Sequence, residues 1–208
     1  MAKFTVRRIN FGAETPDDED NGDGLPLPKL LKLKARRAAG IREAKEALAV
    51  LPAPGESLHC VVTARLDLAD IIHAILERCG RCDRMNVATL GYGPRNLRMM
   101  LGWLDAGAVG TLTLLASIFF RSHNGDLWDQ TLSEFRARKQ RAACCHSHAK
   151  VVTLAFASGA RLSIEGSSNL RANGSAREQA AIIHDAALHD WHAAWIEALV
   201  AKHEQEAD

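Results

Sequence analysis

From Gly55 onward the hydrophobic positions change period along the chain. Short β-rich runs at Leu58 to Thr63, Asn86 to Leu90 and Thr111 to Ile118 predict strands, and the segments between and after them, Asp67 to Arg78, Pro94 to Leu104 and Asp126 to Lys139, read as helices. Strands alternating with helices predict an α/β fold, a mixed and mostly parallel sheet with helices on both faces. After Arg141 the pattern becomes strand-rich. Ala142 to Leu154 and Ala160 to Ile164 read as strands joined by a turn at Ser158-Gly159, followed by a Gly/Ser/Asn loop and a strand from Gln179 to Ile183. In the closing helix Leu188, Trp191, Trp195 and Leu199 recur at spacings of three and four, which predicts that this face docks on the sheet.

The first 54 residues follow a different plan. Residues 12–28 mix Gly, Pro and acidic side chains without apolar periodicity and read as a linker, with an acidic stretch from Glu14 to Asp23. Pro28 to about Val50 predicts a helix with Leu30, Leu33, Ile41, Ala44 and Leu48 near helical spacing and a basic run from Lys29 to Lys45. The division expected is therefore an N-terminal segment over 1–54 and one folded domain over 55–208.

Composition narrows the class more than the function. A chain of 208 residues with 47% hydrophobic and 25% charged residues buries a full core, and a net charge of +1 supplies no global attraction to polyanions. Five cysteines and a start that lacks an apolar signal core lead to the expectation of reduced thiols in a cytoplasm. The longest weakly polar run, Ala106 to Phe120, is too short to span a bilayer, so no stable membrane insertion is expected.

The chemistry gathers between residues 148 and 178. His148 and Lys150 stand two apart on a predicted strand, where their side chains share a face and hence one ligand. An imidazole nucleophile and an ammonium that holds non-bridging oxygens are what displacement at a phosphodiester requires. The turn Gly166-Ser167-Ser168-Asn169 adds backbone access, hydroxyls and an amide donor as candidate substrate contacts, and Glu178 is placed to accept a hydrogen bond from the imidazole.

These residues resemble the phospholipase D superfamily, whose pattern is His-x-Lys-x4-Asp, then Gly-Ser-x-Asn, then a Glu opening a strand. His148-Ala149-Lys150, Gly166-Ser167-Ser168-Asn169 and Glu178 match in turn, and Asp190-Trp191-His192-Ala193-Ala194-Trp195 looks like the final helix of the short bacterial nucleases of that superfamily. The chain is also similar to short single-motif proteins found in prophages. The resemblance implies an αβα sandwich and a metal-independent, cofactor-free phosphodiesterase, a nuclease in the first reading. His148 would form a phosphohistidine, Lys150 and Asn169 would hold phosphate oxygens, and Glu178 would orient His148. It also implies a homodimer that brings two copies of His148 to one phosphate, with nucleic acid as partner. The alternatives are an inactive nucleic-acid-binding relative and a phospholipid hydrolase. One position departs: the pattern's Asp falls at Ala155.

Two other clusters invite metal readings. Cys79-Gly80-Arg81-Cys82 and Cys144-Cys145-His146-Ser147-His148 contain soft ligands, but one Cys-x-x-Cys without a matching second pair is a weak zinc signal, and the cysteines read as core, helix-end and turn residues. His184-Asp185 and His189-Asp190 read as capping and helix-surface residues. Tyr92, between Gly91 and Gly93, and Arg95, after Pro94, are weighed as groove residues against the glycines' simpler use in a strand-to-helix turn.

Overall fold

The computed structural model describes residues 3–8, 42, 44–46, 48–63, 67–170 and 177–205. Its strands are β1 (Lys3–Arg8), β2 (Glu56–Thr63), β3 (Cys82–Thr89), β4 (Val109–Ser117), β5 (Arg141–Cys145), β6 (Val151–Phe156), β7 (Arg161–Gly166) and β8 (Arg177–Ile183). The helices are α1 (Leu68–Cys79), α2 (Pro94–Asp105), α3 (Ile118–His123), α4 (Gly125–Ala137) and α5 (Ala186–Gln205). The acidic stretch and most of the basic run lie outside the described residues, although Ala44 and Leu48 are buried in the main core.

The strands form one sheet in the order β1-β2-β8-β7-β6-β3-β4-β5. The expected α/β fold is present, with a different balance of directions. Parallel pairing holds at the two flanks, β1 with β2 and β3 with β4 with β5, while β2, β8, β7, β6 and β3 are antiparallel neighbours. Helical crossovers join β3 to β4 and β4 to β5, and among the described residues no helix separates β6 from β7 or β7 from β8, which pair by reversal.

Capping residues set the helices between the early strands. Asp67 accepts from the Asp70 backbone N–H while the Asp70 carboxylate accepts from the Asp67 N–H, a reciprocal box at the start of α1. Gly80, at φ 77°, ends that helix in a conformation that glycine adopts without strain. Pro94 opens α2, where its missing N–H costs nothing.

One face of the sheet buries Met85, Val87, Leu112, Leu114, Val152, Leu154, Leu162 and Ile164 against α1, α2, Phe120 and α4. On the other face Ala88, Leu115, Ala143, Cys145 and Val151 meet Ile196 and Val200 of α5. That helix touches β7, β6, β3, β4 and β5, so its ~30 Å length runs across the strands.

Its docking face is not the expected one. His189, His192, Ala193, Ile196 and Val200 are buried, whereas Trp191 is 63% exposed and Trp195 and Leu199 are half-buried. The stripe is rotated by about one residue because two histidines, which a hydrophobic count treats as polar, take buried positions with polar partners. His189 is therefore no surface residue.

Candidate active site

The predicted strand Ala142 to Leu154 is two strands separated by a loop. Cys145 ends β5 at the edge of the sheet, and Val151 begins β6 on the far side of β4 and β3. The crossing covers three strand spacings, about 14 Å, and uses most of the ~20 Å that six residue steps can reach. Residues 146–150 consequently pair with no strand. His148 and Lys150 lie in this loop and not on one strand face; the Lys150 ammonium donates to the His148 carbonyl at 3.0 Å. His148 is exposed and Lys150 half-buried. Between them Ala149 packs beside Trp195 and Leu199 against the α5 core, which anchors the middle of the loop.

The other site residues arrive at the same edge of the sheet. Val151 is the register partner of Glu165, so the C-terminal end of β7 stands beside the end of the 146–150 loop, and the Gly166 N–H donates to the Lys150 carbonyl at 3.3 Å. The Ser167 N–H donates to the Gln179 carbonyl, and the Gln179 N–H to the Ser167 hydroxyl, each at 3.0 Å. This ties the Gly-Ser-Ser-Asn turn to the start of β8, where the Ser167 hydroxyl donates to the Glu178 carboxylate. His148, Lys150, Gly166, Ser167, Ser168, Asn169 and Glu178 thus share one edge, the end from which α1 and α2 also begin. In open α/β sheets ligands bind beyond the carboxyl ends of the parallel strands, and this edge is that end of β3, β4 and β5.

Individual roles differ from what the spacing suggested. A Cβ on Gly166 would stand 2.1 Å from the Gln179 carbonyl oxygen, so this glycine admits the backbone of β8. Ser168 is buried and its hydroxyl turns to the Asn169 carbonyl at 3.4 Å. Asn169 is half-buried, and its Oδ1 is shut from solvent without a hydrogen-bond partner among the described residues. A buried acceptor left unpaired costs about 1–3 kcal/mol, and such groups in folded proteins call for a functional or structural reason.

The turn is docked on a charged platform of which the sequence reading singled out only Arg95, as a groove residue. The Leu68 N–H donates to the Asn169 carbonyl at 3.3 Å, and Leu170 bridges to Tyr92. Beneath them the Arg95 guanidinium contacts buried Asp67 at 3.3 Å and buried Asp70 at 2.7 Å, and the Asn96 amide donates to Asp67 at 2.8 Å. The legible signal was Asp67 with Asp70 three residues later, a helix-start box. Tyr92 is 2% exposed and donates to Thr131 at 2.7 Å, so it is a core residue and not part of a groove.

A second unread feature borders the loop from α5. The Trp195 indole N–H donates to His192 Nδ1 at 2.9 Å, and since an indole can only donate, the ring proton of His192 sits on Nε2. Nε2 donates to Glu165 at 2.6 Å, one residue before Gly166.

Ala155 is far from this chemistry. It lies five residues beyond Lys150 along β6, about 17 Å, on the α5 face and in register between Arg84 and Arg161. The cysteine clusters are also apart: Cys82 starts β3 and Cys144 is near the end of β5, at opposite ends of the sheet. Burial pushes both thiols up to about 12, which keeps them protonated at neutral pH. A cavity of about 470 Å³ lies at that opposite end too, lined by Gly55, Arg161, His184 and Asp185 among others.

The chain has the phospholipase D fold. No protein-family profile matches it, and no curated protein sequence does. Among solved structures it is similar to Nuc of Salmonella typhimurium, a phospholipase D family member, with 12% identity over 69% of this chain and 93% of Nuc and a TM-score of 0.50. TrmBL2, an archaeal chromatin protein, aligns at 13% identity over 85% of this chain and 64% of its own, with a TM-score of 0.49. Phosphatidylserine synthase of Haemophilus influenzae aligns at 10% over 87% of this chain and 47% of its own, also at 0.49.

Proposed function

We propose that the chain is a metal-independent phosphodiesterase acting on nucleic acid. The observation that carries this reading is convergence: three separate segments place an imidazole, an ammonium, an amide and a carboxylate at one open sheet edge, joined by the bonds from Gly166 to Lys150 and from Ser167 to Gln179. The exposed His148 ring attacks phosphorus, the N–P bond forms as the P–O bond to the leaving alkoxide breaks, and the alkoxide takes a proton from a second histidine. Water then cleaves the phosphohistidine. Lys150 and the Asn169 amide hold the non-bridging oxygens. Glu178, fixed by the Ser167 hydroxyl, orients the His148 ring.

The test is turnover of a chromogenic phosphodiester by purified protein and by His148→Ala, with and without EDTA. Wild-type turnover that EDTA leaves unchanged and His148→Ala abolishes is the expected result. Equal background rates in both proteins would favour a nucleic-acid-binding relative without catalysis, and loss with EDTA restored by zinc would return attention to the cysteines.

A further inference from the structure

We propose that α3 presents a base-stacking platform for single-stranded nucleic acid, with Phe119 as the stacking ring; this rests on the nucleic-acid reading above and names its substrate form. Ser117 and Cys145 are register partners at the ends of β4 and β5. Helix α3 and the His148 loop therefore leave the sheet side by side, about one strand spacing or ~5 Å apart.

The first turn of α3 divides its aromatic residues sharply. Phe120 is buried, with its ring 4.4 Å from that of Tyr92, whereas Phe119 is 58% exposed. The backbone that carries the exposed ring is held, and the ring has one aromatic neighbour. Its backbone N–H donates to Ser117 at 3.2 Å, its carbonyl accepts from Ser122 at 2.8 Å and from His123 Nδ1 at 2.9 Å, and its ring lies 4.2 Å from the His123 imidazole. An outward aromatic on a fixed backbone has little backbone freedom to lose when a base stacks on it, and such stacking tolerates any base.

Charge selects the partner. Arg121, exposed on the same short helix, faces no carboxylate among the described residues, as is also true of exposed Arg78 and Arg98 elsewhere, whereas Arg84, Arg95, Arg138 and Arg141 each face one. A polyanion whose bases are unstacked fits a short helix that carries both an exposed ring and, two positions on and turned to another side, an unpaired cation. A duplex, with its bases stacked inside, offers the ring nothing. The apolar exposure is also narrow, Phe119 with Ile118 at 38%, which is small for a lipid-inserting surface or a subunit interface.

The experiment is fluorescence anisotropy with a labelled single-stranded thymidine oligonucleotide of phosphorothioate backbone, the same length as an abasic strand, and a duplex. Phe119→Ala is expected to weaken single-strand binding by roughly tenfold or more, Phe119→Tyr to restore it, and the abasic strand to bind both proteins alike. Arg121→Gln is expected to lower the salt dependence by about one counterion. The ring's exposure means that both variants keep the wild-type circular dichroism spectrum. Single-strand binding unchanged in Phe119→Ala would overturn the platform while leaving the nucleic-acid reading intact. A wild-type protein that binds none of the three probes would instead sink the nucleic-acid reading, and the platform with it. Loss of binding to anionic vesicles with no change on oligonucleotides would reassign Phe119 to lipid, and a change in sedimenting mass would reassign it to self-association.

Discussion

At Gly166 a single added methyl would have to occupy space 2.1 Å from the Gln179 carbonyl oxygen and 3.0 Å from the Ala180 Cα. Both neighbours are backbone of a paired strand, so relief requires β7 and β8 to part where the Gly-Ser-Ser-Asn turn begins. Gly166→Ala is expected to destabilise the protein by about 3 kcal/mol, read as a fall in the calorimetric Tm, whereas His148→Ala, at an exposed ring, should leave Tm within a degree or two. Equal melting temperatures for Gly166→Ala and wild type would show that the strands relax around the added group. Glu178→Gln removes charge but retains shape at the Ser167 contact; it is expected to slow turnover of a phosphodiester without lowering Tm, and an unchanged rate would take Glu178 out of the site. The residue types were legible in the sequence because His-x-Lys, Gly-Ser-x-Asn and Glu are local patterns. The reason for the glycine was not, since it depends on a strand eleven or more residues away.

Helix α5 illustrates what a hydrophobic period can and cannot tell. Its existence was plain, yet the face was misread because His189 and His192 are buried polar residues. His192 has partners on both ring nitrogens, while His189 donates from Nδ1 to Asp190 and keeps Nε2 buried without a partner among the described residues. Burial holds His189 below its ordinary value of 6.5, partly offset by Asp190. A depressed folded-state value means that the unfolded chain takes up the proton first as pH falls. The stability is thus fully present above about pH 6.5 and is lost progressively below it. Wild-type Tm is expected to fall between pH 7.5 and 5.5 by more than that of His189→Gln, and parallel losses in the two proteins would contradict it. The Asp190 carboxylate, held below its usual range by its bond to His189, adds a loss only at lower pH, below about 3.8. The β5–β6 break escaped the sequence for a related reason: Ala142 to Leu154 is mostly apolar or β-prone, and composition does not reveal where a chain leaves one strand to cross two others.

Across the whole molecule, alternating strands and helices foretold the α/β fold, but pairing partners were invisible because a strand's period says which face is buried and not which neighbour it meets. The same scale governs the remaining question of proton supply. When His148 attacks, the leaving alkoxide needs a proton, and one imidazole cannot be nucleophile and acid in a single step. His146, exposed two residues before His148 in the same loop, is the candidate for an acid within one chain. The single motif faces solvent at an open sheet edge, where a two-fold axis passing near His148 would set a second copy opposite the first. The expected outcome is a dimer by sedimentation velocity at micromolar concentration. On dilution below the dissociation range, the turnover rate per chain should fall as the dimer separates. A monomer that turns over substrate in simple proportion to its concentration would show that one chain holds a complete site, and the search for the acid would move to residues within it.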